Sequence, residues 1–215
     1  MSLIVRTFAT GGDRNFGYLA ADGERRRAAL IDPSPDPGEI LDTLRREELV
    51  ADYVFVTHGH ADHTGGSLRA AKAVGTSPLG FGDTDSRTGR KIGHGTRLPL
   101  GGLEVTVLHT PGHTADSICL LVGDALFTGD TLFAGKVGGT DLGNGARAQY
   151  DSLHRVLLAL PDDTVIYPGH DYGADRESTI GRERRTNPFL LQPDLDAFVD
   201  LKRNWAAYKE AHGIT

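Results

Sequence analysis

Thr57-His58-Gly59-His60-Ala61-Asp62-His63 sets three imidazoles and a carboxylate directly behind the apolar run Asp52-Tyr53-Val54-Phe55-Val56. The run is short and rich in β-branched and aromatic residues, so it reads as a buried strand. Gly59 and Gly65-Gly66 punctuate the segment after the run and put the histidines on the turn between that strand and a helix over residues 67–74. A strand's mouth is where α/β proteins carry their sites. An expression tag would sit at a terminus and repeat one residue, and a helix cap needs only one Asp or Ser. Imidazole with carboxylate is ligand chemistry for zinc, manganese and iron, and a second set of ligands is needed to close a site.

That second set stands further along the chain, again at strand ends. The strand over 103–108 runs into His109-Thr110-Pro111-Gly112-His113-Thr114. His113, between Gly112 and Thr114, is the candidate ligand, whereas His109 precedes the proline and is expected to be packed or hydrogen-bonded. A hairpin over 117–122 and 124–128 delivers Gly129-Asp130-Thr131-Leu132-Phe133. The strand in Thr164-Val165-Ile166-Tyr167-Pro168 leads to Gly169-His170-Asp171-Tyr172. Four strands thus each release a metal-type side chain into the following turn.

Around these turns the chain reads as one domain over 1–215. Residues 3–8, 15–20 and 28–31 form an opening β-meander that stops at Asp32-Pro33-Ser34-Pro35. There Asp32 either orients a ligand histidine from behind or simply initiates a turn before proline. Helical spacing marks 38–49, 148–160 and a C-terminal helix over 194–211, whose stripe Leu195, Phe198, Val199, Leu201, Trp205 and Tyr208 should pack back on the domain. Residues 75–95 read as loop and edge structure, with His94 capping a hairpin.

The net charge of −6 and the absence of a basic face argue against a nucleic-acid partner. No apolar run has membrane-spanning length, and the N-terminus lacks a signal-peptide pattern. The single cysteine, Cys119, sits in an apolar strand and reads as a buried small hydrophobe. One cysteine also fits a reducing cytosol, so a cytoplasmic protein is expected. A homo-oligomer is compatible with the sequence.

Taken together, His58-Gly59-His60-Ala61-Asp62-His63, Gly112-His113-Thr114, Gly129-Asp130-Thr131 and Gly169-His170 resemble, in order, the motifs of the metallo-β-lactamase-fold hydrolases, over roughly residues 3–190. Thr-Pro-Gly-His-Thr at 110–114, Gly-Asp-Thr-Leu-Phe at 129–133 and His-Asp-Tyr at 170–172 are most similar to the glyoxalase II-like (hydroxyacylglutathione hydrolase-like) branch. The resemblance implies a four-layer αββα sandwich of the mixed α/β class, with metals at one edge of the paired sheets. It implies two divalent ions, zinc first with iron or manganese admissible: His58, His60 and His113 on one, Asp62, His63 and His170 on the other. Asp130 would bridge them, and Asp62 and Asp130 would be the catalytic carboxylates. The implied reaction is attack of a metal-bridging hydroxide on a glutathione thioester.

Persulfide dioxygenases are also similar, including Glu183-Arg184 and Asn187-Pro188. Their pattern implies a single Fe(II) on His58, His113 and Asp130, acting on glutathione persulfide. Either way the partner is a small-molecule glutathione derivative, and Tyr172 matches a glutathione-contacting tyrosine. The chain departs from both branches in Gly135-Lys136-Val137-Gly138-Gly139-Thr140-Asp141, where the basic contact near 139 is missing and Lys136 is the substitute. The longer helical C-terminal domain of full-length glyoxalase II is also not expected after Thr215.

Overall fold

The computed structural model describes residues 2–214, so the two ends of the 1–215 span, Met1 and Thr215, lie outside the described residues. The chain begins with β1 (Leu3–Gly11), β2 (Asn15–Asp22) and β3 (Arg27–Ile31), the expected meander. Helix α1 (Gly38–Arg46) then carries the chain to β4 (Val50–Phe55), which lies parallel to β3. Short α2 (Ala61–Thr64) and α3 (Ser67–Val74) lead to the edge strand β5 (Pro78–Leu79), completing a five-stranded sheet in the order β1-β2-β3-β4-β5.

The second sheet contains β6 (Arg97–Leu100), β7 (Leu103–His109), β8 (Ile118–Val122) and β9 (Ala125–Gly129), each antiparallel to the one before. A two-stranded ribbon follows, β10 (Leu132–Phe133) with β11 (Lys136–Val137), then helix α4 (Asn144–Asp151). Strand β12 (Val165–Pro168) docks parallel to β9, and β13 (Ser178–Thr179) makes the outer edge of six strands. Helices α5 (Ile180–Thr186), α6 (Leu195–Arg203) and α7 (Trp205–His212) close the chain.

Side chains of a strand alternate between faces, and here both faces are covered. Phe16 and Tyr18 on β2, Tyr53 and Phe55 on β4, and Ile118, Leu120 and Phe127 on β8 and β9 fill the space between the sheets. The alternate residues Leu19, Leu30 and Val54 meet Ile40, Leu44 and Ala70 of α1 and α3. On the far side Cys119, Leu126 and Ile166 meet Leu153, Leu157, Ile180, Phe189 and Phe198. The result is helix, sheet, sheet, helix, the expected four layers. Cys119 is fully buried, and burial pushes its thiol up to about 11, so it is a packing residue.

Two expected helices are corrected. The one expected at 148–160 starts earlier, because the Asp141 carboxylate accepts the N–H groups of Gly143 and Gly145 and so organises the turn before Ala148. It then passes through a π turn over Ser152–Val156 and a 3-10 turn over Leu157–Ala159. The C-terminal helix expected at 194–211 is two helices, α6 and α7. They break at Asn204, whose backbone leaves helical geometry and whose side-chain amide donates to the Asp200 carbonyl. Residues 180–186, which carry no helical reading in the sequence, form α5 behind a Thr179 cap that accepts from the Arg182 N–H.

Among the hydrogen bonds that tie the sheets together, the buried Tyr18 hydroxyl, on a residue 2% exposed, donates to the Pro168 carbonyl at 2.6 Å. Tyr18→Phe is expected to cost about 1–2 kcal/mol, because a buried carbonyl loses its donor. Urea unfolding of the purified variant checks this, and an unchanged midpoint would contradict it.

Candidate metal centre

Parallel pairing brings strand ends together, and this sets the site. Strand β3 lies parallel to β4, so Asp32 at the end of β3 sits beside the Thr57–His63 turn. Strand β9 lies parallel to β12, so Asp130 and His170 leave the second sheet side by side, with the Gly169 N–H donating to the Gly129 carbonyl. Strand β7 runs the same way as β9, because both are antiparallel to β8, and so His113 emerges at the same edge.

The seven histidines and carboxylates expected as ligands converge there in overlapping groups: His58, His60 and His113; Asp62, His63 and His170; and His58, His63 and Asp130. In the first group His60 Nδ1 lies 3.0 Å from both His58 Nε2 and His113 Nε2. In the second, His63 Nε2 and His170 Nε2 are 3.2 Å apart, with Asp62 Oδ2 at 3.7 and 3.4 Å from them. Asp130 stands between the groups. Its Oδ2 is 3.5 Å from His113 Nε2, while its Oδ1 is 3.5 Å from His63 Nε2 and 3.4 Å from His170 Nε2.

The outward nitrogens of these rings face acceptors. His63 Nδ1 meets Asp32 Oδ2 at 2.8 Å, His113 Nδ1 the Gly139 carbonyl at 2.7 Å, and His170 Nδ1 the Asp13 carbonyl at 2.8 Å. His58 Nδ1 lies 3.1 Å from Thr57 Oγ1, which donates onward to Asp32 Oδ2 at 2.6 Å. Each acceptor draws the ring proton to Nδ1 and leaves the Nε2 lone pair pointing inward, the tautomer a metal requires. Lone pairs 3 Å apart need a cation between them. Asp130 Oδ1 points the same way, being buried with no hydrogen-bond partner among the described residues. The donor set therefore fits divalent metal.

The electrostatics derive from burial and from the two central carboxylates. Burial, aided by the neighbouring His63, lowers His58 to about 4, and burial likewise lowers His113. Burial also opposes charge on His63, but Asp32 and Asp130 outweigh it and raise that ring to about 10. His170 is raised in the same way against its burial, by Asp130. Asp130 is held far below the carboxylate range despite burial, by the His170 and His63 imidazoles that face its Oδ1 at 3.4 and 3.5 Å. Metal binding requires these rings unprotonated at the ligating nitrogen, so it would couple metal affinity to pH.

Two glycines make this packing feasible. Gly129 has φ +47°, and a Cβ there would lie 2.5 Å from Thr57 Oγ1; a Cβ on Gly138 would fall on the Asp130 carbonyl oxygen.

Three contributors carry no ligand signal in the sequence. Asn15, on β2, donates to Asp62 Oδ2 at 3.0 Å and aims it at the second group, 47 residues away. Thr57 relays Asp32 to His58, and only its place beside the motif hints at this. Asp13 supplies a carbonyl to His170 and accepts from the Tyr172 hydroxyl. His94 and His109 stand apart from the ligands: His94 Nδ1 accepts the His109 N–H, and His109 stacks on Phe81. Tyr172 stacks on His170 with centroids 4.4 Å apart, and Lys136 Nζ sits 4.9 Å from the Tyr172 ring. Both line a cavity of about 540 Å³ beside the second group, with Arg182, Trp205 and Lys209.

The profile of the Metallo-beta-lactamase superfamily matches residues 10–86 and 70–170. The chain belongs to that superfamily. Among relatives, this metallo-β-lactamase-fold chain is 32% identical over 211 residues to the probable hydroxyacylglutathione hydrolase glo2 of Schizosaccharomyces pombe, covering 90% of this chain and 76% of that protein. Its fold matches crystal structures of ETHE1 from Myxococcus xanthus (TM-score 0.84, 37% identity, 94% of this chain and 91% of that one) and of TTHA1623 in a di-iron-bound form (TM-score 0.71, 30% identity, 86% and 100%). The chain is thus a metallo-β-lactamase-fold, metal-dependent enzyme linked by its relatives to glutathione chemistry. Among the described residues no helix is long and apolar enough to cross a membrane.

Proposed function

We propose that the protein hydrolyses a glutathione thioester at a two-metal centre. His58, His60 and His113 would hold one ion and Asp62, His63 and His170 the other, with Asp130 facing both groups. The observation that carries the reading is Asp62. Asn15 holds its Oδ2 toward His63 and His170, completing a second ligand set that a one-metal site would not use. Bound divalent ions would supply Lewis acidity and a water that ionises near neutral pH. The protein's own part is to orient. Asp32 and the Gly139 and Asp13 carbonyls fix the imidazole tautomers, while exposed His60 marks the open side by which a substrate enters. Tyr172 and Lys136 offer an aromatic face and a cation to the substrate's peptide portion, in the cavity beside His170. Residue similarity to a probable hydroxyacylglutathione hydrolase supports the substrate class.

Purified protein is expected to carry two metal ions per chain and to hydrolyse S-D-lactoylglutathione. One iron per chain with no thioesterase activity would sink the reading. The second reading, a single-Fe(II) persulfide dioxygenase on His58, His113 and Asp130, is favoured by the similarity to ETHE1 over 94% of the chain. The residues that suggest it from sequence are occupied elsewhere. Glu183 accepts from the Gly135 N–H and from Asn187, and Arg184 donates to the Leu158 carbonyl, all bonds that hold loops. Oxygen uptake with glutathione persulfide by iron-loaded protein would establish this reading instead.

A further inference from the structure

The inner face of a packed helix favours apolar side chains, and α4 departs from that rule next to the metal centre. Its inward stripe passes from Ala146 to Gln149 and Ser152, all buried, before Leu153 and Leu157 restore the apolar core. Gln149 is the more costly departure. Its Nε2 donates to the Gly138 carbonyl at 3.2 Å, whereas its Oε1 is buried with no hydrogen-bond partner among the described residues. An unpaired buried oxygen destabilises a fold, so packing does not explain the amide.

What these two side chains touch is the surroundings of His113. Ser152 Oγ donates to the Pro111 carbonyl at 2.7 Å, two residues before the ligand. Gly112, at φ +148°, lies so close to α4 that a Cβ there would be 2.4 Å from Gln149 Cβ. The carbonyl that Gln149 holds precedes the one, on Gly139, that meets His113 Nδ1 at 2.7 Å. From α6, Lys202 Nζ donates to the same Gly138 carbonyl at 2.8 Å while resting 5.7 and 5.4 Å from the ring centroids of Phe189 and Phe198. The opposite side of Gly138 presses on the ligands: a Cβ would fall 1.9 Å from the Asp130 carbonyl oxygen and 3.2 Å from His113 Nδ1. Two glycines in succession have wide backbone freedom and no side chain to anchor them. Fixing the Gly138 carbonyl fixes one peptide plane and leaves only the Gly139 dihedrals between it and the acceptor of His113.

We propose that Gln149 and Lys202 are positioning residues that clamp the Gly138 carbonyl from two helices, hold the Gly139 carbonyl on His113 Nδ1, and so set the tautomer and angle at which His113 presents Nε2 to a metal. The clamp rests on His113 as a metal ligand and is independent of the reaction that the centre performs. Either donor alone keeps the Gly138 carbonyl paired, and the loss of both leaves a buried acceptor empty.

The test measures zinc affinity by chelator competition, the imidazole nitrogens of His113 by two-bond proton–nitrogen correlation in zinc-loaded protein, and urea unfolding of metal-stripped protein. Wild type is expected to show His113 protonated at Nδ1 and metal-bound at Nε2. Gln149→Met, equal in length and apolar, should weaken zinc binding about tenfold, the lower end of the loss that follows removal of a ligand's outer partner. It should also shift the His113 Nδ1–H signal. The urea midpoint of the stripped variant should stay or rise, because the unpaired oxygen leaves with the amide while Lys202 still pairs the carbonyl. Lys202→Met should weaken zinc binding by a comparable factor and Lys202→Arg should restore most of it. The double variant should lose more than the product of the two single factors, because both donors share one acceptor. Lower stability of stripped Gln149→Met with zinc affinity and the His113 signal retained would overturn the clamp and leave Gln149 as a packing residue. His113→Ala separates the two levels. Unchanged zinc affinity in His113→Ala would remove the ligand assignment and the clamp with it, whereas affinity lost in His113→Ala and kept in both Gln149→Met and Lys202→Met would overturn the clamp alone. Should Gln149→Met fail to fold, Lys202→Met, at a half-buried position, carries the same zinc and His113 readouts.

Discussion

Asp130→Asn is expected to lower thioester hydrolysis by about 10³-fold, to cut metal content from two ions per chain toward one, and to leave the fold in place. The carboxylate faces His113 through Oδ2 and His63 and His170 through Oδ1, so it is directed at both ligand groups. An amide keeps the shape but presents N–H groups to one side, which a cation repels. Lewis-acid stabilisation of developing charge is worth several kcal/mol, and each 1.36 kcal/mol is a factor of ten in rate, which sets the size of the effect. The fold should survive because, among the described residues, Asp130 Oδ1 has no hydrogen bond to the scaffold. Elemental analysis, steady-state kinetics and far-ultraviolet circular dichroism on one preparation check the three parts. A variant that keeps both ions and most of its activity would refute the bridging role.

Asp32→Ala is expected to act differently, losing stability and metal affinity together. Asp32 accepts from the Thr57 N–H at 2.8 Å, the Thr57 hydroxyl at 2.6 Å and His63 Nδ1 at 2.8 Å, and is 2% exposed. Through Thr57 it orients His58 and directly it orients His63, one histidine in each ligand group. Loss of such an outer partner costs about 10–100-fold in metal affinity. The three donors left buried without an acceptor each cost about 1–3 kcal/mol before any relaxation. Asp32→Asn keeps one oxygen in the same space, and Asn tolerates the left-handed backbone found there, φ +45°. It should therefore weaken metal binding with a smaller stability loss. Chelator competition and urea unfolding of loaded and stripped protein separate the two effects. Unchanged zinc affinity in both variants would show that Asp32 serves only the turn.

The ligands were legible because each is announced locally, by a short apolar strand and a glycine-marked turn. A few consecutive residues of context suffice to place His113 or His170 at a strand end. Asp32 was legible as a choice between two roles, and its position beside His63, 31 residues away, depends on the parallel pairing of β3 with β4. Asn15 was not legible: nothing near it marks a partner of Asp62, and the contact arises because β2 begins where β12 turns, with Asn15 bridging to His170. The C-terminal pattern misled for a related reason. Its apolar stripe is continuous in helical spacing, yet Asn204 ends α6, and the Trp205 ring packs on Phe189 while stacking on Tyr208.

Sequence by itself placed the metal-type side chains at strand ends, because residue type and strand-to-turn spacing are properties of short segments, and the resemblance of those motifs to a known superfamily implied the four layers. Only the tertiary structure decided which scaffold atoms fix each imidazole, that Asn15 aims Asp62, and that α6 brings the cation of Lys202 to the glycine loop behind His113. Those arrangements join residues dozens of positions apart, and they come from strand pairing and helix docking that bury both faces of two sheets.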